Sequence, residues 1–248
     1  MSRVAVVTGG ASGMGRSICE NLARQGHAVV VADLNGSEAE QLAKEIRESG
    51  GRAVASQADV SERAQVDATM ALARDAFGPI GILVLSAGLS RKEPFREMTV
   101  ESWQQVIAVN LTGAFHCVQS AVGDMVDAGW GRIVLISSSS AQRGAPGMAH
   151  YAASKGGVIA LNKTLALEFA ATGITVNNIA PSVIETPMVK KQQAVGAVPP
   201  NEVIVKGIPV GRMGTGDDIA AACAYLCSEE ASFITGQTVS VNGGSFVG

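Results

Sequence analysis

Short runs of β-branched residues alternate with longer stretches of helical spacing along most of the chain. Arg3–Val7 is apolar and ends in glycines, and Gly13–Gln25 follows with helical periodicity. The pairing recurs as Ala28–Ala32 with Ser37–Ser49, then Arg52–Ser56 with Ser61–Phe77, and Ile82–Leu85 opens the next unit. The second half predicts a helix over Val100–Val126, a strand at Arg132–Ser137 and a helix over Tyr151–Ala171. A strand at Ile174–Ile179, a helix at Asp217–Cys227 and a short strand at Val239–Val241 complete the series. Apolar runs without polar alternation suit strands buried on both faces. Strands and helices in strict alternation predict an α/β fold, a doubly wound parallel sheet with helices on both faces and right-handed crossovers. No linker or repeat interrupts the pattern, so residues 1–248 read as a single domain. The exception is Pro187–Gly211, rich in proline and glycine with weak periodicity, which reads as an irregular substrate lid.

Composition narrows the class. Apolar residues make up 47% of the 248 positions and charged ones 17%, enough for a sizeable core and too apolar for disorder. A net charge of −3 without a basic run gives no reason to expect nucleic-acid binding. The apolar start, MSRVAVVTGG, reaches glycine too soon for a signal peptide or a membrane span, so a cytoplasmic protein is expected. Cys19, Cys117, Cys223 and Cys227 suggest reduced thiols and no metal site; the last two fit successive turns of one helix.

The turn Thr8–Gly15, TGGASGMG, joins the first strand to the first helix. Gly9, Ser12, Gly13, Met14 and Gly15 there let backbone N–H groups and a helix N-terminus meet a pyrophosphate unobstructed. Asp33 closes the second strand about 20 residues later, where a carboxylate accepts hydrogen bonds from ribose hydroxyls and repels a 2′-phosphate. Leu34, Asn35 and Gly36 follow it, and Ser12 rather than a cation occupies the glycine turn. The residues therefore favour NAD(H) over NADP(H).

Tyr151 and Lys155, in HYAASKG, are four residues apart on a predicted helix and share one face. A phenol ionises near pH 10, and a cation within about 6 Å favours its phenolate, so the pair can build a general acid/base. These residues stand in a larger series: TGGASGMG, Asp33, Asp59-Val60, Ser86-Ala87-Gly88, Asn110, Ser138, YAASK, Pro181…Thr186 and the terminal VNGG at Val241–Gly244. In that order and spacing they resemble a short-chain dehydrogenase/reductase with a Rossmann-type fold, over essentially the whole chain. Two departures are visible, Leu85-Ser86 where the family commonly has Asn-Asn, and Pro181-Ser182 where many relatives have Pro-Gly.

The resemblance implies roles position by position. Tyr151 would exchange a proton with the substrate oxygen, Lys155 would lower the phenol's pKa and hold the nicotinamide ribose, and Ser138 would hydrogen-bond the reacting oxygen. Ser138 stands thirteen residues before Tyr151, which singles it out from Ser137, Ser139 and Ser140. Asn110 would help hold a water of the proton relay. Asp59 and Val60 would flank the adenine, Leu34 and Ser86–Gly88 would line the nucleotide site, and Pro181, Ile184 and Thr186 would meet the nicotinamide end.

Substrate contacts are expected from Ser140, Arg143, Met148 and Met188 beside Ser138 and Tyr151, with His150 at the rim. The lid supplies Met188, Val189, Val195, Val198 and Val203, an apolar set that fits a hydrophobic secondary alcohol or ketone. An alternative is a 3-oxoacyl thioester reductase using NADP(H). The members that act on carrier protein carry cations near the fifth strand and after the active-site helix, where this chain has Ala128-Gly129-Trp130 and Ala171-Thr172-Gly173. A non-catalytic NAD sensor would not need Asn110, Ser138, Tyr151 and Lys155 together. Helices apolar on more than one face, Val100–Val126 and Tyr151–Ala171, call for partners. Relatives pair them across subunits, so a homotetramer is expected, with a dimer as the fallback.

Overall fold

The computed structural model describes residues 2–194, 196 and 198–247. Seven strands form one sheet in the order β3-β2-β1-β4-β5-β6-β7, every neighbouring pair parallel. The strands are β1 Val4–Thr8, β2 Ala28–Asp33, β3 Arg52–Gln57, β4 Ile80–Leu85, β5 Gly131–Ile136, β6 Ile174–Pro181 and β7 Thr238–Val241. Strands β1, β4, β5 and β6 are buried along their whole length, as the apolar runs of β1 and β4 require. One face of the sheet packs against α1 (Gly13–Arg24), α2 (Gly36–Glu48) and α10 (Gly216–Cys227) through Ile18, Leu22, Leu42 and Ile219. The other packs against α3 (Arg63–Phe77), α5 (Gly113–Ala128) and α7 (Ala149–Phe169) through Met70, Met125 and Val158.

Strand order reverses between β1 and β4, and crevices at such a switch point take ligands at the carboxyl ends of the strands. The glycine turn, Asp33, Ser86–Gly88 and Ser138 all follow the carboxyl ends of β1, β2, β4 and β5. Two buried asparagines inside β6 reach beyond the strand: Asn177 donates to the Ile234 carbonyl at 2.7 Å, and Asn178 to Ser137 Oγ at 2.8 Å. They tie the last crossover to the sheet.

Three regions differ from the sequence pattern. The helix expected over Val100–Val126 is α4 (Val100–Ile107), a π-turn at Ala108–Thr112 and α5, running unbroken to Ala128. By length and composition alone this run could cross a membrane. Its inner face, however, carries Val106, Ala114, Cys117 and Ala121 into the core. The second difference is a one-turn helix, α6 (Ser139–Arg143), nucleated by Ser138, whose Oγ accepts the Ser140 N–H at 3.1 Å.

The lid is the third. It is not irregular but holds α8 (Pro187–Ala194) and α9 (Asn201–Val205). Pro187 occupies the first helical position, which needs no N–H donor, and Thr186 Oγ1 accepts the Val189 N–H at 3.3 Å. Val195, expected in the lid's apolar set, lies outside the described residues.

At the π-turn exit Gly113 packs directly on Val60, and an added Cβ would stand 2.7 Å from Val60 Cγ2. Gly113→Val is therefore expected to lower the unfolding free energy by about 1–3 kcal/mol. Denaturant titration checks this, and an unchanged midpoint would show that α5 can slide away from Val60.

Candidate active site

A cleft of about 370 Å³ opens at the switch point. Its floor is the glycine turn. Gly9 and Gly13 have φ of +63° and +53°, a region that favours glycine. At Gly15 an added Cβ would stand 2.0 Å from the Gly9 carbonyl oxygen, so α1 can begin this close to the turn only without a side chain. The α1 N-terminus has no acidic residue in its first turn and Ser12 makes no side-chain cap, which leaves its N–H groups to an anion. Gly9, Ser12, Gly13 and Met14 line the cleft, and Gly15 supports it from below.

Asp33 stands at the cleft edge with its carboxylate fixed: Oδ2 accepts the Ala11 N–H and Oδ1 the Asn35 N–H, each at 3.0 Å. Its remaining lone pairs can accept from ribose hydroxyls. Leu34, Asp59, Val60, Ser86, Ala87, Gly88 and Thr186 complete the expected wall. Pro181 ends β6, buried behind this wall. Ile184 bridges to Gly214, with the Glu185 N–H donating to the Gly214 carbonyl and the Gly214 N–H to the Val183 carbonyl. In that parallel pattern Ile184's own N–H and C=O point the other way, available to a ligand. These groups fit an adenine dinucleotide. Met188, expected at the substrate, lines this cleft from the first turn of α8. Leu89, Gln105 and Val109 also line it and escaped the sequence reading. Gln105 sits on an exposed helical stretch whose pattern gives no signal of a neighbouring loop.

The catalytic candidates converge. Lys155, 4% exposed, donates from Nζ to the Ile136 carbonyl at 2.8 Å, and its ammonium stands 6.0 Å from the Tyr151 ring centroid. The loop after β4 crosses here at Gly88, whose Cβ position is 3.4 Å from Lys155 Nζ and 3.5 Å from Asn110 Oδ1. Asn110, in the π-turn, uses its whole amide: Oδ1 accepts the Leu89 N–H at 2.7 Å, and Nδ2 donates to the Leu89 carbonyl and Ser154 Oγ, both at 3.0 Å. Ser154, fully buried, in turn donates to the Tyr151 carbonyl at 2.8 Å. Asn110 is thus a clamp between the β4 loop and the catalytic helix, and Ser154 is the link that sequence reasoning missed. A small polar residue inside an apolar helix, three positions after Tyr151, was the available signal. A cavity of about 10 Å³ lined by Asn110, Lys155 and Thr8 is at the lower limit for one water.

Electrostatics correct one expectation. Burial pushes the Tyr151 phenol up from its usual range, and a hydrogen bond with Ser138 only partly offsets it. Lys155 does not win in the unliganded protein, because burial lowers its own pKa to about 8 and weakens it as a cation. Ser138 and Tyr151 are thereby neutral donors beside one another. His150 is fully buried rather than at the rim, with Nδ1 accepting the Tyr151 N–H at 2.8 Å. Ser140 and Met148 are half-buried on the loop from Ser138 to Tyr151, and Arg143 is exposed. Cys19, Cys117, Cys223 and Cys227 are free and buried in the core, and no metal-binding cluster occurs among the described residues.

The unfolded chain keeps the Lys155 proton to about pH 10.5, the folded protein only to about pH 8. Between these values the folded state binds fewer protons, so this group adds stability as pH rises and withholds it below pH 8. Lys155→Met is expected to flatten that rise in denaturation midpoints measured from pH 7 to 10. Parallel curves for the two proteins would contradict it.

Comparison with known proteins agrees with this geometry. A family model described as Enoyl-(Acyl carrier protein) reductase matches residues 9–245. An acetoacetyl-CoA reductase of Rhizobium meliloti (strain 1021) is 43% identical over 99% of both chains. The (2S)-[(R)-hydroxy(phenyl)methyl]succinyl-CoA dehydrogenase subunit BbsD of Thauera aromatica is 38% identical over 98% of this chain and 96% of that one. A 3-oxoacyl-[acyl-carrier-protein] reductase FabG of Staphylococcus aureus (strain Mu50 / ATCC 700699) is 38% identical over 100% of this chain and 99% of that one. With the dinucleotide cradle, the Ser138–Tyr151–Lys155 centre and these likenesses together, the chain belongs to the short-chain dehydrogenase/reductase family and is an oxidoreductase acting on a hydroxyl or keto group with a nicotinamide cofactor.

Proposed function

We propose that the chain interconverts a 3-oxoacyl thioester of coenzyme A and its 3-hydroxy form, with NAD(H) as its preferred cofactor. The alternative of a 3-oxoacyl thioester is favoured over the expected hydrophobic alcohol or ketone, because the similar proteins are named for acyl thioesters. The observation that carries the chemistry is the neutral Tyr151 phenol beside Ser138. When bound, the nicotinamide supplies or takes the hydride. Tyr151 protonates the oxygen that becomes the alcohol, and Ser138 steadies the developing charge there by a hydrogen bond. Lys155 holds the ribose and, with Asn110 and the small cavity beside them, restores the tyrosine's proton. A phenol kept protonated by burial suits the reductive direction at neutral pH.

Two features favour coenzyme A over a carrier protein. The segments at Gly129-Trp130 and Thr172-Gly173 carry no cation for an acidic partner. The nearby Arg132 is 2% exposed and spends its guanidinium on the Ser228, Gly131 and Gly173 carbonyls. For the cofactor, Asp33 occupies the position a 2′-phosphate would need. Arg16, the nearest cation along α1, is held by Glu20 and Glu45. Exposed Trp103, Phe115, Val126 and Leu167 on α4, α5 and α7 support the homotetramer.

Oxidation of NADH with acetoacetyl-CoA tests the reading. Wild type is expected to turn over, and Tyr151→Phe to lose at least about 100-fold in kcat; turnover equal to wild type would overturn the tyrosine's role. Asp33→Ala is expected to shift the kcat/KM ratio of NADH to NADPH by about tenfold or more toward NADPH. A wild-type preference for NADPH would overturn the cofactor assignment.

A further inference from the structure

Of the twelve arginines, seven pair with a carboxylate. Among the described residues the five that do not are Arg24, Arg52, Arg91, Arg96 and Arg143. Three of these five belong to the two loops flanking the catalytic centre. Arg143 ends α6, five residues after Ser138, and Arg91 follows β4 shortly after Gly88. The loops are latched together: the Glu93 N–H donates to the Gly147 carbonyl at 2.7 Å, and Lys92 Cγ would stand 3.3 Å from a Cβ at Gly147. Arg91 opens on a groove of about 550 Å³ that reaches Gln105, a residue shared with the nucleotide cleft. The groove's carboxylates lie toward α4: Glu93 is engaged by Ser102 Oγ at 2.7 Å, and Glu97 and Glu101 flank the helix start. The groove's cations, Arg91 and Lys92, lie on the β4 loop, and Arg143 stands exposed on the loop latched to it.

We propose that Arg143 and Arg91 anchor the nucleotide phosphates of the coenzyme A thioester, outside the pocket that holds its acyl group. The inference rests on the thioester reading above and adds a subsite to it. Unpaired guanidinium groups on a rigid one-turn helix and a latched loop are suited to phosphate, which they meet by bidentate, charge-assisted hydrogen bonds. Arg91 and Arg143, neither held by a carboxylate among the described residues, stand on two latched loops beside the catalytic centre and can meet an external anion. A thioester without phosphates can fill the acyl pocket but gains nothing from this site.

The test compares acetoacetyl-CoA with the acetoacetyl thioester of N-acetylcysteamine, which has the same acyl group and no phosphate. In wild type, added salt is expected to raise KM for the coenzyme A ester and not for the short thioester. Arg143→Ala and Arg91→Ala are each expected to lower the ratio of the two kcat/KM values about tenfold, through KM. Arg143→Lys is expected to recover part of the ratio, and Arg24→Ala, far from the mouth, to keep it. A ratio unchanged in both alanine variants, or no salt effect on the coenzyme A ester, overturns the subsite while leaving thioester reduction intact. Absence of turnover with either thioester in wild type overturns the functional reading instead, and the subsite with it.

Discussion

An ammonium group removed from water is the constraint around which this site is built. Lys155 lies at 4% exposure against the end of β5, where the Ile136 carbonyl takes one of its protons. Burying a cation is costly unless its surroundings are fixed and polar. The neighbouring elements meet that demand. The β4 loop crosses the lysine at Gly88, and the π-turn holds Asn110 beside it. Ser154 ties both to the backbone of Tyr151. The same burial sets the chemistry, because it keeps the neighbouring phenol protonated and the amine ready to give up its charge.

The sheet explains why these pieces meet. Its order reverses between β1 and β4, so the loops after β1, β2, β4 and β5 rise on one edge. Each contributes one part: the glycine turn, Asp33, Gly88 and Ser138. The helix faces carry the rest, with Asn110 on the α4–α5 run and Tyr151 and Lys155 on α7. A π-turn is suited to such a place, since one extra residue re-aims a side chain without ending the helix. The nucleotide edge and the catalytic edge are thus one structure.

Much of this was legible in the chain itself. Unbroken runs such as Ile82–Leu85 and Ile133–Ile136 suit strands buried on both faces, and their alternation with helices pointed to a parallel sheet. The glycine turn and Asp33 announced a nucleotide because their backbone demands are local. What was not legible depends on contacts distant in sequence. The π-turn leaves the apolar pattern of Val100–Ala128 intact. The short helices α6 and α8 are held by Ser138 and Thr186 rather than by propensity, since so few residues cannot sustain a helix alone. The direction of the Tyr151 pKa departs from the sequence reading because spacing reveals the lysine one turn away but not how far burial weakens it as a cation. The 3-oxoacyl thioester stood among the alternatives at the sequence level, and likeness to named relatives, not a residue pattern, favours it.

With only two tyrosines in the chain, the second being the exposed Tyr225 on α10, the phenol at the centre can be watched directly. Ultraviolet difference titration of a Tyr225→Phe protein without cofactor isolates Tyr151. The account predicts ionisation above the ordinary tyrosine value of about 10, moving higher still when Ser138 is replaced by alanine. A phenol that ionises at or below that value, or is indifferent to Ser138, would contradict the claim that burial holds the proton in place for transfer.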